Sequence, residues 1–272
     1  MNLSNETVEQ VKKGSQEFLQ FKKLLQYSDV INHAYSVGID KNYRTFKANR
    51  EELPKEEYKK NIGNYQTLCE AIGVEHKNIV KANQAHTDNV VKVTEKSENK
   101  IDTNEKSDGL ITDKKDIILA TKNADCILFL MFDPKKKVIA NIHSGWKGTL
   151  QRISVKAVNK MKEEYGSNPK DIIVCICPSI RKCHFEVEQE VYQMFYDEFK
   201  NLDKIDEIIK KDGDKWYIDT VLINKIILKD TGILEENIED SGICSVCSKE
   251  KIHSFRAEGP NYGLATAIIT LK

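Results

Sequence analysis

Three residues far apart in the chain are of the types that build a reactive metal centre: His86 in "NQAHTDNV", Cys126 in "NADCILFLMFDP" and His143 in "NIHSGWKG". Two imidazoles and a thiolate form an N, S, N donor set suited to zinc. Three protein ligands leave a fourth position for water, phosphate or substrate, the catalytic rather than the structural pattern. Without a metal, Cys126 and His143 are the types of a nucleophile and its base, as in cysteine hydrolases. Copper is the other metal such a set takes, but a single Cys with so few histidines falls short of a multicopper cluster and leaves at most a strongly coloured type-one-like site. A non-enzymatic zinc module is a further reading, built from Cys175, Cys177, Cys244 and Cys247, the last two in a Cys-x-x-Cys.

The elements that must position these side chains are written in the same segments. "NVVKVTE" and "DIILATKNADCILFLMFDPKKKVIANIH" carry β-branched and aromatic residues in short runs broken by Asn, Asp and Pro, as strands do. Asp133-Pro134-Lys135-Lys136 has type I turn chemistry and lies between two apolar runs, which predicts an antiparallel hairpin. Pairing Asp133 with Lys136 sets Cys126 opposite His143, with Cβ atoms roughly 4.5 to 5.5 Å apart. A four-residue loop shifts that partner by two residues and keeps both side chains on one face. Asp125 is a candidate to orient either histidine or to serve as acid or base, although strand alternation points it to the face opposite Cys126.

Length and charge bound the rest. The 272 residues suffice for one large domain, and we expect a single domain over 1–272 with a divergent amino-terminal part at 1–80. Forty-two basic residues balance forty-two acidic ones and are interspersed with them, so no positive field is available for nucleic acid. No run of about 18 apolar residues marks a membrane span and the polar opening carries no signal peptide, so the expected compartment is the cytoplasm, where the seven cysteines stay reduced. Residues 1–80 are Lys/Glu-rich with helical spacing, as in "NYQTLCEAIG" closed by Gly73. A helix is expected from Trp146 to about Tyr165, then the strand "DIIVCIC", the helix "EVEQEVYQMFYDEF", a solvated charged loop at "KKDGDK" and the helix "DTVLINKIILKDTG". Periodicity does not assign "NYGLATAIITLK". Strands alternating with helices give an α/β (α+β) fold with mixed sheet at its centre.

"QAHTDNV", "NADCILFLMFDP", "NIHSGWKG", "CICPSIRKCHFEV" and "CSVCSKEKIHSFRAEG" together resemble, in order and spacing over about residues 80–270, the motifs of the YfiH family. Its members have been called multicopper polyphenol oxidoreductases or laccase-type proteins and are regarded as purine nucleoside phosphorylases with accompanying adenosine deaminase activity. Some are linked to editing of peptidoglycan precursors. The resemblance implies a single α/β domain with sheets flanked by helices, and metal ligands at His86, Cys126 and His143. It also implies a nucleoside and phosphate as the small-molecule partners of a cytoplasmic monomer or homodimer.

Phosphorolysis needs cations or N–H groups for phosphate and something to stabilise the departing base. Lys147, between glycines at a helix start, is a candidate for the first task, with Arg256 and Gln84 of the Gln-x-His motif. The family's Ala-Gly-Trp-Arg-Gly stands here as Ser144-Gly145-Trp146-Lys147-Gly148, and its Ser-Tyr-Arg-Arg-Asp-Gly as Ser254-Phe255-Arg256-Ala257-Glu258-Gly259. Each loses an arginine, and no Thr-Arg-x-Gly-Gly is recognisable near the amino terminus.

Overall fold

A strand as uniformly apolar as "ILFLMFD" needs cover on both faces. The computed structural model, which describes residues 1–46, 51–95 and 102–272, supplies it by stacking helix, sheet, sheet and helix. The larger, seven-stranded sheet runs in the order Val8–Lys13, Gln16–Phe21, Ile31–Val37, Ala265–Leu271, Ile118–Asn123, Ile79–Asn83, Asp102–Lys106. The smaller, six-stranded one runs Ile238–Asp240, Ile173–Ile176, Ile127–Asp133, Val138–Ser144, Gly109–Thr112, Val90–Lys92. Both mix parallel and antiparallel pairs.

Between the sheets, Leu119, Ala267 and Ile269 meet Leu128, Leu130 and Ile139 in one buried cluster. Helix Lys55–Ala71 covers the outer face of the larger sheet with Tyr65, Leu68 and Cys69, and helix Ile153–Tyr165 covers that of the smaller with Ala157, Val158 and Met161. Burial of each large apolar side chain contributes about 1.5–3 kcal/mol. Asn141 crosses the interior: its Nδ2 donates to the carbonyls of Leu119 at 2.9 Å and Ala267 at 2.8 Å, fixing the strand of His143 against the other sheet.

The expected hairpin is present with a longer loop. Asp133 Oδ1 accepts from the backbone N–H of Lys135 (2.9 Å) and Lys136 (3.0 Å), and Lys137 adopts φ 54°, so residues 134–137 form the loop and Asp133 pairs with Val138. His143 therefore faces Leu128, and Cys126 lies just before the strand that pairs Ile127 with Ser144. The helical reading of the amino terminus holds for Lys55–Ala71, ended at Gly73 with φ 76°, but Val8–Val37 forms three antiparallel strands, whose alternation the Lys/Glu-rich composition hides. The helix expected after Trp146 is broken by Arg152 at φ 57° into Trp146–Leu150 and Ile153–Tyr165. The charged loop near 210 is a hairpin, Ile209–Asp212 with Lys215–Ile218, turning at Gly213. The unassigned carboxy-terminal segment is a central strand, Ala265–Leu271.

Candidate metal centre

Three segments end side by side at one edge of the stacked sheets. His86 lies in the loop after Ile79–Asn83, Cys126 enters Ile127–Asp133, and His143 sits one residue from the end of Val138–Ser144. Their ligand atoms all lie within 4.8 Å of one another, and the two imidazole rings stand edge to face with centroids 5.1 Å apart.

A residue that the sequence reading did not select holds two of the three in place. Asp108, fully buried, accepts from His143 Nδ1 at 2.7 Å and from the backbone N–H groups of Ala85 (3.0 Å), His86 (3.0 Å) and Thr87 (2.7 Å). The Thr87 hydroxyl donates to it as well, at 2.8 Å. These bonds fix the loop that carries His86 at φ 58° and leave Nε2 of His143 for Cys126 or a metal, the carboxylate–histidine arrangement common behind metal ligands. The only trace of this in the sequence is an acidic residue at the entry of the apolar strand in "SDGLIT".

Burial alone would raise the Cys126 thiol, but the positive charge of His143 and hydrogen bonds from both histidines bring it down to about 6. Burial likewise opposes charge on His143, yet the Cys126 thiolate and the Asp108 hydrogen bond raise it to about 9. Asp108, which burial would raise, is held at about 2 by His143 and the N–H groups of Thr87 and Ala85. The chain thus presents a thiolate beside an imidazolium, and a metal ion bound there displaces the imidazolium proton.

Room for an ion is provided by Gly145. A Cβ there would stand 2.7 Å from His86 Cδ2 and 3.2 Å from Cys126 Sγ. Since φ of −69° asks for no glycine, the requirement is steric. We expect Gly145→Ala to fold but to lose metal affinity by about 10-fold or more through displacement of His86. Isothermal titration with zinc checks this, and unchanged affinity would refute it.

The cluster floors a cavity of about 670 Å³, within the usual range for small-molecule sites. Gln84, Asp125 and Arg256 line it as well, and Trp146 does so while packing among Phe195, Phe199 and their neighbours. Lys147 does not: it is exposed, with Nζ 5.3 Å from the centre of the Trp146 ring. Arg44 and Lys122, which the sequence reading passed over, add two cations to Arg256 on the wall. Arg44 Nη2 donates to Tyr262 O at 2.8 Å, and Lys122 Nζ to Thr45 Oγ1 at 3.1 Å. Gln84 exchanges two hydrogen bonds with the backbone of Lys122.

Arg256 donates from Nη1 to His184 O and from Nη2 to Glu186 O, both at 2.9 Å. Asp125 orients neither histidine. Its Oδ1 accepts from Ser245 Oγ at 2.6 Å and its Oδ2 from Arg256 N at 2.7 Å, so it ties the Arg256 segment to the strand of Cys126. Cys175 and Cys177 are fully buried between the sheets, where burial pushes both thiols up. The zinc module that paired them with Cys244 and Cys247 is not formed.

Comparison with known proteins gives the family and the fold. Residues 41–272 match the sequence profile of the family described as "Multi-copper polyphenol oxidoreductase laccase". Over 172 residues the chain is 34% identical to "Purine nucleoside phosphorylase LACC1" of Mus musculus, covering 62% of this chain and 39% of that protein, about two fifths of its length. Over 204 residues it is 30% identical to "Adenosine deaminase RL5" of an unknown prokaryotic organism, covering 72% of this chain and 76% of that one. The fold matches the crystal structure of Bacillus licheniformis hypothetical protein YfiH with a TM-score of 0.82 at 23% identity, over 97% of this chain and 99% of the other.

Proposed function

The chain belongs to the multi-copper polyphenol oxidoreductase laccase family, and from that premise we propose that it is a zinc-dependent purine nucleoside phosphorylase that also deaminates adenosine. The observation that carries this reading is the meeting, in one cavity, of the His86, Cys126 and His143 donor set with the cations Arg44 and Lys122 and with aromatic side chains such as Phe185 and Phe255.

In phosphorolysis a phosphate oxygen bonds to C1′ of the ribose as the bond from C1′ to the purine nitrogen breaks, giving ribose 1-phosphate and the free base. Arg44 and Lys122 supply the charge that holds the phosphate dianion, and the aromatic side chains flank the purine and keep water from the sugar. Asp108 keeps the histidines aimed at the reacting end. Zinc held by His86, Cys126 and His143 would supply Lewis-acid polarisation and a water of lowered pKa, which suits deamination at C6 as well.

The copper-oxidase reading has less support: among the described residues the cavity gathers three metal donors, too few for a multicopper cluster. A metal-free cysteine hydrolase draws support from one observation, the Cys126, His143 and Asp108 chain, which has the order of a nucleophile, its base and an orienting carboxylate. The placement of His86 as a third donor favours the metal, and a chelator separates the two readings.

The test is incubation of the pure protein with adenosine or inosine and phosphate, with and without chelator, followed by chromatography for free base, inosine and ribose 1-phosphate. Formation of neither base nor inosine at full zinc occupancy would sink the proposal. Arg44→Met is expected to raise KM for phosphate about 10- to 100-fold, the worth of a charge-assisted hydrogen bond, with a smaller change in KM for nucleoside. Lys147→Met should alter neither beyond about 2-fold, since the side chain lies outside the cavity. Equal effects of the two substitutions would remove Arg44 from the phosphate site.

A further inference from the structure

We propose that Cys183, His184, Cys244 and Cys247 bind a second, structural zinc ion that fastens the lip of the cavity. The four ligand atoms lie within 4.8 Å of one another. Cys183 Sγ is 3.6 Å from Cys244 Sγ and 3.9 Å from Cys247 Sγ, and His184 Nδ1 is 3.6 Å from each of the last two. A tetrahedron with zinc–sulfur bonds of about 2.3 Å and a zinc–nitrogen bond of about 2.0 Å has sulfur–sulfur edges of about 3.8 Å and sulfur–nitrogen edges of about 3.5 Å. Four edges of the cluster match these values, the edge between the adjacent Cys183 and His184 is shorter at 3.1 Å, and Cys244 and Cys247 Sγ lie within 4.8 Å of each other.

Four protein ligands with three thiolates make a closed Cys₃His site, a structural zinc pattern. Soft sulfur donors in tetrahedral array select zinc over magnesium, calcium or manganese. Without a cation, three thiolates this close repel one another. A neutral cluster of thiols would leave the imidazole with no stronger partner than sulfur.

The position gives the ion a task. Cys183 and His184 run directly into Phe185 and Glu186 of the cavity wall, and the turn at 244–247 leads on to Phe255 and Arg256 of the same wall. Arg256 bonds the carbonyls of His184 and Glu186, so the two segments already touch beyond the cluster. Asp125 then takes Ser245 Oγ and Arg256 N, which links the cluster to the residue before Cys126. A bound ion would lock both sides of the lip at one point. None of this depends on which substrate the cavity takes.

The experiment is metal analysis of the full-length protein, purified without chelator and gel-filtered, by inductively coupled plasma mass spectrometry. About two zinc equivalents per chain are expected for the wild type and about one for Cys126→Ser, because the second site fills its own tetrahedron. Cys247→Ser is also expected at about one, and the double variant near zero. Cobalt substitution gives a second readout: thiolate-to-cobalt charge-transfer and intense tetrahedral ligand-field bands should persist in Cys126→Ser and vanish with Cys247→Ser. If Cys247→Ser fails to fold, the wild type and Cys126→Ser decide by themselves. A wild type with one equivalent and a Cys126→Ser with none would overturn the proposal, and so would a disulfide joining any two of the three cysteines in the native protein.

Discussion

Replacing Cys126 with alanine is expected to strip the metal from the proposed centre and lower kcat/KM for the proposed phosphorolysis by at least about 10³, near 4 kcal/mol of transition-state stabilisation. Cys126 is the only anionic donor of the set, and the nearest carboxylate, Asp108, is turned away to His143 Nδ1 and three backbone N–H groups. Two neutral imidazoles cannot keep zinc against a chelator or a wash. The fold should survive, because the thiol's partners are the two histidines of the site itself, while the Cys126 carbonyl accepts from Asn123 Nδ2 at 2.6 Å whatever the side chain. Metal content, circular dichroism and kcat/KM measured together separate the outcomes. An alanine variant that keeps more than about a tenth of the activity would mean that the reaction does not use this centre. Loss of activity in the variant, combined with indifference of the wild type to chelator, would instead favour a cysteine nucleophile.

The meeting of the candidate donors was legible because β-structure makes it so. Cys126 and His143 reach one face by alternation alone, and the two-residue error in the hairpin register left that face unchanged. The error came from the Asp133 carboxylate, which captures two N–H groups and lengthens the turn, a choice that "DPKKK" does not announce. The strands, moreover, were legible where β-branched and aromatic residues cluster. They were hidden at Val8–Val37, where lysine and glutamate interleave with the few apolar positions that face inward.

What stayed hidden shares one cause: partners that meet only through the fold. Arg44 reaches the cavity from a segment where no motif is recognisable, and Lys122 from a strand whose pairing with Ala265–Leu271 had not been assigned. Lys147 illustrates the converse. Its charge next to glycine at a helix start suggested an anion site, but the helix runs only from Trp146 to Leu150 and the side chain lies along the Trp146 ring outside the cavity. Cys175, on the strand Ile173–Ile176, and Cys177, one residue past its end, both face the core, so they could not join Cys244 and Cys247. Cys183 and His184, beyond the turn after that strand, can.

Asp108→Asn is the change expected to harm both metal binding and fold, although it alters one atom of a residue that touches neither substrate nor metal. Oδ1 accepts from His143 Nδ1 and His86 N, and Oδ2 accepts from Ala85 N, Thr87 N and Thr87 Oγ. Whichever way an asparagine amide is turned, its NH₂ replaces an acceptor of at least one backbone N–H, that of His86 or those of Ala85 and Thr87, and each buried group left unpaired costs about 1–3 kcal/mol. The loop loses its grip on His86 and the His143 ring its orientation, so zinc affinity should fall about 10- to 100-fold. The metal-free protein carries a pH signature. Because the carboxyl is held at about 2, below the unfolded value near 3.9, its charge adds stability above about pH 4 that is lost as pH falls through about 2. Urea unfolding of chelated wild type and Asp108→Asn should therefore show a gap of a few kcal/mol at pH 7 that narrows by about 2 kcal/mol between pH 4 and pH 2. A gap that does not narrow would mean that the geometry of Asp108, not its charge, holds the two histidine segments together.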